Sequence, residues 1–214
     1  MSEALEVAVY APIASFRDPM YSGVQVGLPV PPPSTVGGLL AACAGGWGHV
    51  PERTRFAMSF TAGGSGTDLE TYWPVGRDGK FGQSTVKQRP FLSDCQLTVW
   101  LLADLDWWEH VVGNPTYPTR LGRSQDLAEI TCRRVPLLDE PGKQWRALVP
   151  SDTPNAAGEP LHLSTANSLD RTHTTWAQYR WSHRGDGRSL SGGWSTPTGQ
   201  AVVLLPQVHP TTAT

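Results

Sequence analysis

Apolar periodicity over residues 5–138 switches between two and 3.6, and the order of those switches leaves few folds open. Leu5, Val7, Val9 and Ala11 share one face with Glu6, Ala8 and Tyr10 on the other, the pattern of a half-buried strand. Val36, Leu39, Leu40 and Cys43 then recur at helical spacing. Ser34 stands at the expected N-cap, and Gly45-Gly46 supplies the stop, since glycine accepts the left-handed conformation at a helix end. Gly37 and Gly38 weaken this helix by about 1 kcal/mol each relative to alanine. A close approach to the first turn, by a neighbouring strand or by a phosphate, would account for them.

Residues 55–61 and 69–75 read as a strand pair separated by Gly63-Gly64-Ser65-Gly66. Residues 76–82 are bounded by glycine and carry an Asp78-Gly79 turn signal, so they read as the tip of a projecting hairpin. Lys87-Gln88-Arg89-Pro90 returns the chain to the sheet. Cys95, Leu97, Val99 and Leu101 alternate as a further strand. Residues 104–112 form a short helix with acids in its first turn, where the helix dipole favours them. A strand follows at 130–138.

The order is strand, helix, strand, strand, helix, strand. It predicts an α+β chain with a ferredoxin-like domain over residues 1–138, the fold of RRM-type RNA binders. From residue 139 the pattern loosens into Pro, Gly, Ser and Thr, with Trp145, Trp176, Trp181 and Trp194 as packing anchors and a last strand at 201–205. Residues 139–214 therefore read as a smaller β-rich C-terminal appendage.

The formal net charge is −2, so no global basic field draws the chain onto nucleic acid. Any RNA site must be a local concentration of Arg and Lys. Cys43, Cys95 and Cys132 are too widely spaced for a zinc knuckle and fit a reduced, cytoplasmic setting as small buried hydrophobes. No secretory signal opens the sequence, and the longest apolar stretches are too short to span a bilayer. Neither a metal nor a cofactor is expected.

The segment Pro31-Pro32-Pro33-Ser34-Thr35-Val36-Gly37-Gly38-Leu39-Leu40, followed by Ala41-Ala42 and Ala44-Gly45, resembles the signature of the Cas-five family of CRISPR proteins. Three more pieces agree in order: Phe16-Arg17 after the first strand, Arg89-Pro90-Phe91-Leu92, and Asn114-Pro115 through Leu121-Gly122-Arg123-Ser124. Four pieces in register over some 120 residues make a specific match.

That resemblance implies a RAMP-type subunit of the type I effector Cascade. Such a subunit holds the 5′ handle of the CRISPR RNA, caps the backbone made by Cas-seven subunits and touches a large Cas-eight-type subunit. It meets target DNA only through the complex, and no membrane is involved. A thumb hairpin, here at about 72–88, would project over the RNA.

Gripping single-stranded RNA requires phosphate neutralisation and platforms for unstacked bases. The thumb offers Arg77, Lys80 and Lys87 with Tyr72, Trp73 and Phe81 interleaved, although such rings can equally cover a sheet. Ser34 and the amides of Thr35 and Val36 can receive a phosphate at the helix N-terminus or serve as an ordinary cap. Arg17 and Arg123 suit phosphate clamps, or pairing with Asp18 and Asp126 nearby. Arg89 completes the RNA-binding set, and Gly122 is assigned to the turn. Arg171, Arg180, Arg184 and Arg188, with His173 and His183, form a second candidate surface for RNA or a partner.

Subtype I-C relatives resemble metal-independent ribonucleases that use a Tyr, a Lys and a His, with an adjacent Lys-His pair after the thumb. This chain has no Lys-His dipeptide, and the corresponding stretch reads Lys87-Gln88-Arg89. The expectation is a non-catalytic, I-B-like subunit without catalytic residues. An endoribonuclease maturing the guide, with His110 or Tyr21 as its candidate groups, is the alternative. A β-rich ligand-binding module unrelated to CRISPR is a third reading.

Overall fold

Burial along β1 (Ser2–Ala14) follows the alternation of its sequence: Leu5, Val7, Val9 and Ala11 are buried while Tyr10 and Ile13 face solvent. The computed structural model describes residues 2–21, 25–76 and 78–213. After β1 come α1 (Pro33–Cys43), β2 (Phe56–Thr61), β3 (Gly64–Tyr72), β4 (Thr85–Leu101), α2 (Leu105–Gly113) and β5 (Glu129–Leu137). The C-terminal third adds β6 (Lys143–Trp145), β7 (Ala147–Pro150), β8 (Glu159–Asn167) and β9 (Thr174–Trp181). Short strands β10 (Asp186–Ser189), β11 (Trp194–Ser195) and β12 (Ala201–Val202) complete the chain. The fold is α+β, an antiparallel sheet carrying two α-helices among the described residues.

The sheet runs β5-β1-β4-β2-β7-β9-β8. α1 lies in the connection from β1 to β2, and α2 in the connection from β4 to β5. Register puts inward side chains in a row: Cys132 opposite Val7, Val7 opposite Val99, Val99 opposite Met58, and Met58 opposite Leu148. Val36, Leu39, Leu40 and Cys43 of α1 and Trp108 and Val112 of α2 close over this face. Leu163, Tyr179, Trp181, Leu205 and Val208 join the same core. The C-terminal third is thus β-rich, and its longer strands extend the sheet past β2. Of its four tryptophans only Trp181 is fully buried. A smaller cluster, including Ala57, Trp100, Leu137 and Val202, forms separately from the main core.

Two strand readings change. β3 pairs along its length with the first half of β4, from Gly64 opposite Ser93 to Tyr72 opposite Thr85, and β2 pairs with β4 and β7 instead. Residues 87–90 and 95–101 are therefore parts of one 17-residue strand. Its outer half faces no core, so Leu69 and Val86 are each 66% exposed and no burial pattern marks the hairpin arms.

Ser34 does not cap α1. Pro32 occupies the cap and Pro33 the first turn, where a missing N–H leaves nothing unsatisfied. The Ser34 hydroxyl instead lies 2.7 Å from that of Ser164 on β8. The far end matches its glycines: the Gly46 N–H donates to Ala41 O at 2.7 Å and the Gly45 N–H to Ala42 O at 3.3 Å, both residues at positive φ. At Gly37 a Cβ would sit 2.9 Å from the Trp47 ring and 3.0 Å from Val208, so the close approach comes from the chain itself, whereas Gly38 faces open space.

Cys43 and Cys95 are buried, and that burial pushes both thiols up to about 11. A thiol reagent at neutral pH should leave both untouched in the native protein and label them in denaturant, because the thiolate is the reactive form. Rapid labelling of either in the folded state would contradict the packing. No helix among the described residues is long and apolar enough to cross a membrane.

Candidate nucleic-acid interface

The rigid Pro31-Pro32-Pro33 entry aims the first turn of α1 at a groove of about 810 Å³. The loop after β1, the segment before β5 and the β8–β9 connection form its other walls. Arg17, Arg120 and Arg171 line it, with Tyr117 and Trp47 as aromatic walls, and no acidic side chain does so among the described residues. An adjoining recess of about 260 Å³ shares Arg17, Pro32, Thr35 and Gly122 with the groove and adds Arg89 and Arg123. Five arginines thus meet on one continuous surface of a chain whose net charge is −2. This is a local concentration of basic side chains on a chain without a global basic field.

Each arginine is held differently. Arg17 donates to the Tyr21 carbonyl at 3.2 Å, while Asp18 accepts from the Met20 N–H at 3.0 Å and closes its own turn. Arg17 therefore does not pair with Asp18. Arg123 does pair with Asp126: its Nε lies 3.0 Å from Asp126 Oδ2, and the same carboxylate accepts the Arg123 N–H at 3.1 Å and the Ser15 N–H at 3.2 Å. This buried staple fixes the turn before β5 against the end of β1. Gly122 belongs to the turn, at φ +102°, where a Cβ would meet Ser15 O at 2.7 Å.

Arg89 donates through Nε to Gln25 at 2.9 Å and forms an ion pair with Glu70. Burial, then the charges of Arg123 and Arg17, hold its pKa below the usual guanidinium value. An anion placed between these guanidinium groups would offset that repulsion.

The first-turn amides are not offered to a phosphate as the sequence suggests. The N–H groups of Thr35 and Val36 both donate to Pro32 O, at 2.9 and 3.2 Å. What α1 turns toward the groove is the Ser34 and Thr35 side chains and the open edge at Gly38.

The remaining sequence candidates lie on the β3–β4 hairpin and line neither cavity. Tyr72, Trp73 and Phe81 are exposed at 46%, 56% and 74%, and Lys80 is exposed at the tip. The tip is closed by the Gly76 N–H donating to Lys80 O at 2.8 Å and the Gly82 N–H to Pro74 O at 2.7 Å. Arg77 lies outside the described residues. The Lys87 ammonium sits 4.7 Å from the Tyr72 ring centroid, a cation–π contact. By strand alternation Tyr72, Lys87, Glu70 and Arg89 share one hairpin face, the face from which Arg89 reaches the recess.

Sequence reasoning missed Tyr117 and Arg120, although both sit inside the segment between Asn114-Pro115 and Leu121-Gly122. It grouped Arg171 with Arg180, Arg184 and Arg188, which the structure separates. Arg171 lies in the β8–β9 turn against the groove, Arg180 donates to Gly158 O at 3.2 Å, and Arg184 lines a different cavity. His49 and His110 are exposed and line neither the groove nor the recess. Among the described residues no group of three metal-ligating side chains occurs.

Two solved structures that share this fold carry CRISPR descriptions. One is described as a CRISPR RNA-guided surveillance complex, with a TM-score of 0.57 and 15% identity over 98% of this chain and 92% of the other. Another is a CRISPR protein from Archaeoglobus fulgidus, with a TM-score of 0.53 and 13% identity over 95% of this chain and 99% of the other. No curated protein matches the sequence. The family described as CRISPR-associated protein (Cas_Cas5) matches residues 4–149, more than half of the chain, and the chain belongs to that family.

Proposed function

We propose that this chain is a non-catalytic subunit of a type I CRISPR effector complex, Cascade, and that it holds the 5′ handle of the CRISPR RNA in the arginine groove. The observation that carries the reading is the convergence of five arginines on one surface, three of which, Arg17, Arg120 and Arg171, form no ion pair with a carboxylate among the described residues, in a family member of negative net charge. Phosphates would lie on Arg17, Arg120 and Arg171, with Tyr117 as a platform for an unstacked base. The core order β5-β1-β4-β2, with α1 and α2 in its two crossovers, supports a ferredoxin-like core. The β3–β4 hairpin is its thumb, bringing Lys80, Lys87, Tyr72, Trp73 and Phe81 over the strand. The partners are a Cas-seven backbone subunit, a large Cas-eight-type subunit and, through the complex, target DNA. The setting is cytoplasmic, and the missing Lys-His pair favours an I-B-like system.

The test is to purify the tagged chain from cells that carry its CRISPR array. A short RNA with a repeat-derived 5′ end and two further subunits should accompany it. Repeat RNA incubated with the pure chain in EDTA should stay intact. A defined cut that disappears with His110→Ala or Tyr21→Phe would make the chain a ribonuclease instead, and purification free of any RNA would overturn the handle-binding role.

A further inference from the structure

The sheet face turned away from α1 carries a second cavity. Ser59 opposite Thr98 and Thr61 opposite Gln96 alternate with the core residues Phe60, Leu97 and Val99, so they point to the other side of β2 and β4. Trp145, Arg146, Arg184, Gly185 and Gln200 fold over them and enclose about 360 Å³. This lies in the range of about 300–1,000 Å³ typical of small-ligand sites. The cavity shares no lining residue with the arginine groove.

Its chemistry is specific. Arg146 and Arg184 are the charged groups, no acid lines the cavity, and neither arginine forms an ion pair with a carboxylate among the described residues. The Arg146 backbone is fixed, its carbonyl accepting from the Phe60 N–H at 3.2 Å and the Trp181 indole at 3.1 Å. Its Nε donates to His183 O at 3.2 Å, which orients the guanidinium. Trp145 is held at φ +42°, a conformation that a bulky residue adopts only when its surroundings enforce it. The Gln200 amide N–H groups tie the rim to Gln144 O at 3.2 Å and Ala201 O at 3.1 Å.

We infer that this cavity binds a nucleoside monophosphate unit, either as a free nucleotide or as one residue of a single strand. Arg146 and Arg184 take the phosphate, Trp145 stacks on the base, and Gln96, Thr98, Ser59 and Thr61 bond its edge and sugar. The inference is independent of handle binding, because it concerns another face of the sheet.

Calorimetric titration of the full chain with AMP tests it. Arg184→Ala and Trp145→Gly, the latter suited to positive φ, should each weaken AMP by about tenfold or more. Arg53→Ala, at a residue that pairs with Asp104 and lines neither this cavity nor the groove and its recess, should leave AMP affinity unchanged. The dinucleotide ApA binding more tightly than AMP would identify a passing strand, and binding more weakly a free nucleotide, both within the proposal. No heat from AMP at millimolar concentration, AMP binding indifferent to Arg184→Ala, or inorganic phosphate binding as tightly as AMP would each overturn it.

Discussion

Removing Arg17 and Arg171 together, as Arg17→Ala with Arg171→Asn, should weaken binding of a 5′-handle RNA by about a hundredfold or more. Each charge-assisted contact to phosphate contributes about 1.5–3 kcal/mol, and about 1.4 kcal/mol is a factor of ten. Asparagine is chosen at 171 because the residue sits at φ +60°, a region asparagine tolerates, so the variant removes charge without straining the turn. Salt dependence provides the second readout. On single strands the slope of log affinity against log salt falls by about 0.7 per lost phosphate contact, hence about 1.4 for the pair. Arg53→Ala is the control, because Arg53 pairs with Asp104 at 2.9 Å and lines neither the groove nor the recess. Affinity and slope equal to the parent in the double variant would move the RNA off this surface.

Arg17 and Arg171 also show what a sequence can and cannot disclose. Arg17 stands in a recognisable pair after a strand whose alternation is unambiguous, so its place is legible. Arg171 stands in a turn of the C-terminal third, where no motif or strong period guides the reading. The pairing of β8 with β9 and the packing of β8 on α1, including the contact between Ser34 and Ser164, bring it to α1. Strands and helices that face the core declared themselves because burial imposes a period, as in β1, α1, α2 and β5. β3 and the outer half of β4 form a hairpin whose apolar residues face solvent, so nothing in those residues reveals the partner. The cap of α1 misled for a local reason: Ser34 is a favoured cap residue, but Pro33 before it is better suited to the first helical position. Arg123 was legible as one of two alternatives, and the structure shows the ion pair with Asp126 at its Nε.

That ion pair ties the turn before β5 to the end of β1 through one carboxylate. Asp126→Ala should lower the free energy of unfolding by about 3–5 kcal/mol, the usual effect of removing one partner from a buried pair. Side-chain exposures of 14% for Arg123 and 3% for Asp126 place the pair well out of water, so solvent screening weakens it little. The loss would be a large part of the roughly 5–15 kcal/mol that holds a domain folded. Three donors lose their acceptor at once: the Arg123 Nε, the Arg123 N–H and the Ser15 N–H. Asp126→Asn keeps an oxygen for the two backbone N–H groups and removes the charge, so its effect should be smaller. Arg123→Ala should also be milder than Asp126→Ala, since the carboxylate retains both backbone donors. Urea unfolding of the three variants checks the order, and a double-mutant cycle isolates the coupling between the two side chains. Because Ser15 precedes Arg17 by two residues, loosening the staple should also displace Arg17 and reduce RNA affinity under conditions where the variant remains folded. An Asp126→Ala protein as stable as the parent would show that the turn before β5 is held by other contacts, and that the groove does not owe its shape to this carboxylate.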